Sequence, residues 1–113
     1  MKLVALAAIV AALTVPSAFA ATPTLTGTVG PGFTITLKQG SAKVSKLKAG
    51  KYVFKISDKS SIHNFHLKGP GVDKTTSVGK TGSSTWTVTL KKGKYTYVCD
   101  PHASFMKGSF TVS

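Results

Sequence analysis

"KGKYTYVCDPHASFMKGSFTV", residues 92–112, carries the pattern of the fold and the chemistry together. Tyr95, Tyr97 and Cys99 recur at every second position, with Lys94, Thr96 and Val98 between them. That alternation puts both tyrosines and the cysteine on one face of a half-buried strand. Asp100-Pro101 then turns the chain, since the proline pushes Asp100 toward extended geometry and stiffens the turn. Beyond the loop, Phe110 and Val112 alternate with Ser109 and Thr111, so a second strand returns. Cys99, His102 and Met106, three side chains with soft or borderline donor atoms, therefore share one loop between adjacent strands.

The same period of two runs through the chain. "FTITL" sets Phe33, Ile35 and Leu37 on one face, "KYVFKI" sets Tyr52, Phe54 and Ile56, and "TWTVTL" sets Trp86, Val88 and Leu90. Residues 68–84, "KGPGVDKTTSVGKTGSS", read as a long connection with one irregular short strand. No segment after residue 20 shows helical periodicity. Short strands at this spacing predict an all-β Greek-key sandwich or barrel of about seven to eight strands. "LKAGKYVFKI" at 47–56 also resembles "LKKGKYTYVC" at 90–99, and this aligns Ile56 with Cys99. The cysteine thus takes a position that elsewhere points into the core.

Lys2 and the apolar run "LVALAAIVAALTV" precede "PSAFA", whose Ala18 and Ala20 form a small-residue cleavage pattern. The run is short for a membrane span. The expectation is a signal peptide over 1–20 and one domain over 21–113, exported to a periplasmic or extracellular space and soluble there. No transmembrane segment is expected. In an exported chain a single cysteine lacks an intramolecular disulfide partner, which leaves an intermolecular bridge, a reactive thiol or a metal ligand. All 15 basic residues are lysine and no glutamate occurs, so residues 21–113 carry fourteen lysines against Asp58, Asp73 and Asp100, a net charge of +11. Such a charge favours acidic partners or anionic envelope surfaces, and it equally serves solubility. Lack of arginine removes bidentate recognition of bases and phosphates, so nucleic acid is not an expected partner.

A second histidine comes from "SIHNFHL". Phe65 and Leu67 face inward, and His63 shares their parity, whereas His66 falls with Asn64 on the other face. His63 is therefore the expected ligand and His66 a surface residue. Sulfur ligands select Cu(I) or Zn, and imidazole suits Cu and Zn; two histidines and a cysteine with a weak axial methionine describe a blue copper site. Taken singly, a buried cysteine or methionine is usually core filler. Their spacing favours metal instead. A Cys–His nucleophile pair lacks a clear orienting third group here.

With these residues in view, the chain resembles the small blue copper proteins, the cupredoxins of the plastocyanin, pseudoazurin and amicyanin kind. The resemblance rests on His63-Asn64 after a mid-chain strand, on "GKYTYVCDPH", and on Met106-Lys107-Gly108 leading into "SFTV". It implies one type 1 copper held by His63, Cys99, His102 and, weakly, Met106, with Asn64 tying the His63 segment to the cysteine loop. The two-residue gap from Cys99 to His102 is plastocyanin-like, while the three-residue gap from His102 to Met106 is azurin-like. Asp100 stands where Ser or Thr commonly follows the cysteine, and an ionised carboxylate only accepts hydrogen bonds.

Val98 and Asp100, not histidines, flank Cys99, so the His-Cys-His relay of related copper oxidases is missing. The expected function is one-electron carriage between redox partners, not catalysis, by a monomer with no nucleic acid partner. A copper buffer or chaperone is a second reading, poorly served by the one methionine that follows residue 20 and a buried cysteine. A lysine-rich surface-binding sandwich with a structural metal is the third. By the resemblance, an apolar collar of Pro101, Ala103 and Phe105 around His102 forms the docking patch.

Overall fold

A computed structural model describes residues 21–113. The expected signal peptide lies outside the described residues. Strands β1 (Thr24–Val29), β2 (Ile35–Gln39), β3 (Ala42–Lys43), β5 (Gly50–Asp58) and β8 (Gly82–Leu90) form one sheet, in the order β3-β2-β1-β5-β8. Strands β4 (Lys46–Leu47), β6 (His66–Gly69), β7 (Val72–Thr75), β9 (Gly93–Val98) and β10 (Lys107–Val112) form the other, in the order β4-β10-β9-β6-β7. β1 runs parallel to β5 and β10 parallel to β4; the other pairs are antiparallel. The chain passes repeatedly between the sheets, as an all-β sandwich requires. Eight of these strands have four or more residues, and β3 and β4 add two residues each.

Alternation decides which side chains meet between the sheets. Leu25 and Val29 of β1, Phe54 and Ile56 of β5, Val88 and Leu90 of β8, and Tyr95 and Tyr97 of β9 are all buried. Tyr95 lies opposite Phe110 in the β9–β10 register, with rings stacked at 5.2 Å and 6°. Phe65 stacks on Tyr97 at 5.5 Å and 6°. Such pairs add about 0.5–1.5 kcal/mol each beyond the area they bury. They also tie the strand that delivers Cys99 to its neighbours.

The resemblance between 47–56 and 90–99 has a physical basis. Gly50 and Gly93 open β5 and β9 with φ of 148° and 142°, a region that L side chains rarely adopt. Two residues on, each strand carries a tyrosine bonded to the backbone four residues upstream. The Tyr52 hydroxyl donates to the Lys48 carbonyl at 2.8 Å, and the Lys91 N–H donates to the Tyr95 hydroxyl at 2.8 Å. One turn-to-strand solution is used twice, and the second copy aims Cys99 inward.

Two expectations need correction. Alternation puts Phe33 on the inward face with Ile35 and Leu37, but β2 begins only at Ile35, and Phe33 is 57% exposed. The stretch 68–84 is more ordered than a long connection: it holds the end of β6, all of β7 and the start of β8. Among the described residues, no helix is long and apolar enough to cross a membrane.

Candidate metal centre

Cys99 follows β9, and the inward parity of Tyr95 and Tyr97 carries through to its side chain, which is fully buried. Its carbonyl accepts the His102 N–H at 3.0 Å, closing a short 3₁₀ turn over Asp100–His102 with Pro101 in its first positions. The His102 carbonyl then accepts the Met106 N–H at 2.9 Å, and the Cys99 N–H donates to the Met106 carbonyl at 2.9 Å. These bonds extend the β9–β10 ladder into the loop. A loop so short and so cross-braced fixes the spacing of its side chains.

The structure brings three of the four expected ligands together at measured distances. Cys99 Sγ lies 3.6 Å from His63 Nδ1 and 3.5 Å from His102 Nδ1. The donor atoms of His63, Cys99 and His102 all lie within 4.8 Å of one another. Met106 joins them through the backbone of the loop, and its side chain is buried. His63 is 0% exposed, and its Nε2 donates to the Gly32 carbonyl at 2.9 Å. That bond fixes the tautomer, because a carbonyl only accepts; Nδ1 is left as a bare lone pair aimed at the sulfur.

This donor set fits a metal ion. With bonds of about 2.0–2.3 Å, neighbouring N and S ligands around one ion stand roughly 3.5–3.8 Å apart. Both N–S distances lie in or at the edge of that range. Two imidazoles and one thiolate of this kind suit copper.

Around the ligands runs a second set of bonds. Asn64 Nδ2 donates to Asp100 Oδ2 at 2.7 Å, and the Asp100 N–H donates to Asn64 Oδ1 at 2.7 Å. The carboxylate thus accepts from the amide, and the link between the His63 segment and the cysteine loop is made in both directions. Asn64 also donates to Thr75 Oγ1 at 3.0 Å, and the Phe65 N–H donates to Thr76 Oγ1 at 2.8 Å. Residues 63–65 precede β6, so these side-chain bonds do what a sheet ladder would otherwise do.

His66 is not the free surface residue that parity suggests. Its ring lies on the outer face, yet Nδ1 meets Asp100 Oδ2 at 2.9 Å and Nε2 meets Asp73 Oδ1 at 2.6 Å. Partial burial opposes the charged ring, but the hydrogen bonds and charges of Asp73 and Asp100 outweigh it, and the His66 pKa is raised. Asp100 is the mirror case. Burial works against its charge, and the bonds from Asn64 and His66 with the charges of His66 and Lys68 win, so its pKa is lowered.

The half-buried His102 ring lies at the surface end of the cluster. Phe33 stands edge-on to both imidazoles, its centroid 5.1 Å from His102 and 5.4 Å from His63. Phe105 lies 5.8 Å from His102 and 6.1 Å from Phe33. Phe33 and Phe105 are 57% and 59% exposed, and Ile62, beside His63 in the chain, is 50% exposed. Phe105 was expected here; Phe33 was not. The signal for it was "GPG" at 30–32, which ends one strand and puts Phe33 in a turn.

Two histidines and a cysteine gathered in a two-sheet β-sandwich define a small copper protein with a single metal site. The chain belongs to the cupredoxin-like family, whose sequence model, described as Cupredoxin-like domain, matches residues 3–112. No curated protein matches the sequence significantly. Among solved structures, reduced rusticyanin superposes with a TM-score of 0.60 at 21% identity, covering 80% of this chain and 78% of its own. A second structure of rusticyanin, from Thiobacillus ferrooxidans, gives 0.56 at 21%, covering 80% and 76%. A reduced tryptophan-to-tyrosine variant of amicyanin gives 0.53 at 18%, covering 85% and 88%. At these identities the structural likeness is one of fold.

Proposed function

We propose that this protein is an exported mononuclear blue copper protein that carries single electrons between redox partners. The observation that carries the proposal is the convergence of His63 Nδ1 and His102 Nδ1 on Cys99 Sγ, in a chain of the cupredoxin-like family. Bound copper supplies a one-electron Cu(II)/Cu(I) couple there. His63, Cys99 and His102 would hold it, with Met106 as a weak fourth ligand.

The surrounding residues suit electron carriage. Cys99 and His63 are sealed from water, and their loops are braced by backbone and side-chain bonds, so a change of oxidation state moves few atoms. Among the described residues, only the His102 side of the site reaches the surface, through the rim of Phe33 and Phe105. That rim is the proposed docking face, and the lysine surface steers acidic redox proteins toward it. The carrier acts as a monomer in the periplasm or outside the cell, after removal of residues 1–20. A catalytic role has less support, because no histidine flanks Cys99 to pass electrons onward.

Addition of Cu(II) to the apo-protein, followed by voltammetry, tests the proposal. The expected result is one equivalent bound, an intense blue colour and a reversible one-electron wave. Copper taken up without the blue colour, or a blue protein with no reversible wave, contradicts electron carriage.

A further inference from the structure

A histidine lies between two carboxylates beside the metal-centre loop. His66 stands in a central row of the β4-β10-β9-β6-β7 sheet, opposite Val98 of β9 on one side and Thr75 of β7 on the other. Each ring nitrogen faces a carboxylate: Asp100 at 2.9 and 3.0 Å from Nδ1, and Asp73 at 2.6 Å from Nε2. Carboxylates accept and do not donate, so both nitrogens must carry protons and the ring is an imidazolium. The other charged groups on this face are Lys68, on the same strand, Lys107, which pairs with Val98 from β10, and, farther along the sheet, Lys94 of β9 and Lys46 of β4.

Asp100 connects this ring to the metal centre. It follows Cys99 directly, and its carboxylate and N–H grip the amide of Asn64, the residue after His63. One carboxylate therefore braces the segments of two ligands. As the residue after Cys99, Asp100 carries a negative charge near the site, which would favour Cu(II) over Cu(I) by Coulomb attraction. We infer that His66 is a positioning residue for the copper centre, holding Asp100 against Asn64 and offsetting the Asp100 charge so that the metal is easier to reduce. This inference rests on the copper reading of His63, Cys99 and His102.

The test is a double-mutant cycle on the copper-loaded protein at about pH 6, where the imidazolium is populated. His66→Gln removes the charge while keeping a polar group at the site. Alone, it is expected to shift the Cu(II)/Cu(I) ratio at a fixed potential roughly tenfold toward Cu(II), a fall of about 59 mV. With Asp100→Asn already present, the same substitution is expected to change the ratio by less than about twofold. In the apo-protein, His66→Gln is expected to speed solvent exchange of the Asn64 side-chain amide protons, measured by NMR. A potential that does not move in His66→Gln, or that moves equally whether residue 100 is Asp or Asn, overturns the inference. A wild-type protein that takes up no blue copper overturns the metal-centre reading and this inference with it. A blue wild type with an unmoved His66→Gln potential overturns this inference alone.

Discussion

Phe33 meets His102 edge-on at 5.1 Å, although the two residues are 69 positions apart and one precedes β2 while the other follows β9. The ring also touches His63 and Phe105, so one exposed side chain roofs both imidazoles of the metal centre. An apolar ring over the outward-facing imidazole suits close, desolvated contact with a partner. Lysines act differently, through a field that reaches about 8–10 Å at ordinary salt.

Phe33→Asp and Phe105→Asp should each therefore slow electron transfer to an acidic cytochrome about tenfold at every ionic strength, a loss of ~1.4 kcal/mol at a docking hot spot. Neutralising Lys107 should slow it mainly at low salt. Stopped-flow kinetics across salt concentrations separates the two effects. Rates unaltered by both aspartate substitutions would place electron exit elsewhere.

Met106 should tune the site more than hold it. Its backbone closes the loop through bonds to Cys99 and His102, and these survive a change of side chain. Met106→Leu is a volume-conserving swap that removes only the thioether. It should keep copper and the blue colour while raising the reduction potential, as measured by voltammetry. Loss of all copper affinity would make Met106 a principal ligand.

The clamp on His66 predicts a pH-dependent stability of the apo-protein. Its folded pKa is raised, so its stabilising contribution is fully present below the unfolded value of about 6.5 and is lost as pH rises through the folded value. The gap between wild-type and His66→Gln urea midpoints should be widest near about pH 6 and should shrink at about pH 9. A gap independent of pH would show that the ring stabilises the fold by packing alone.

Gly108 offers a test of the β9–β10 packing that positions the loop. It lies opposite Tyr97 in the register, and an added Cβ would collide with the Tyr97 ring. Because Tyr97 is stacked on Phe65, the ring has little room to yield. Gly108→Ala should cost about 1–3 kcal/mol, read from denaturant midpoints. An unchanged midpoint would mean that the ring moves aside freely.

Much of this was legible because burial in a sheet follows parity. Tyr95, Tyr97 and Cys99 are buried as alternation predicts, and so are His63, Phe65 and Leu67. Parity failed at Phe33, because it cannot say where a ladder begins. It also placed Asn64 outward, whereas Asn64 is buried with its amide satisfied by Asp100 and Thr75. Those partners are distant in sequence, and so are Asp73 and Asp100 around His66. Contacts made by turns and side chains between separate strands have no period to read.

The central claim is that His63, Cys99 and His102 hold one copper ion, and titration of apo-protein variants with Cu(II) tests it most directly. Wild type and His66→Ala should each bind one equivalent and turn intensely blue. Cys99→Ser should lose the blue colour while keeping its β-sheet circular dichroism, because the thiolate supplies the charge transfer and serine preserves its shape. His63→Ala should lose far more affinity than His66→Ala. An intense blue spectrum retained by Cys99→Ser, or a greater loss of affinity in His66→Ala than in His63→Ala, would contradict the account.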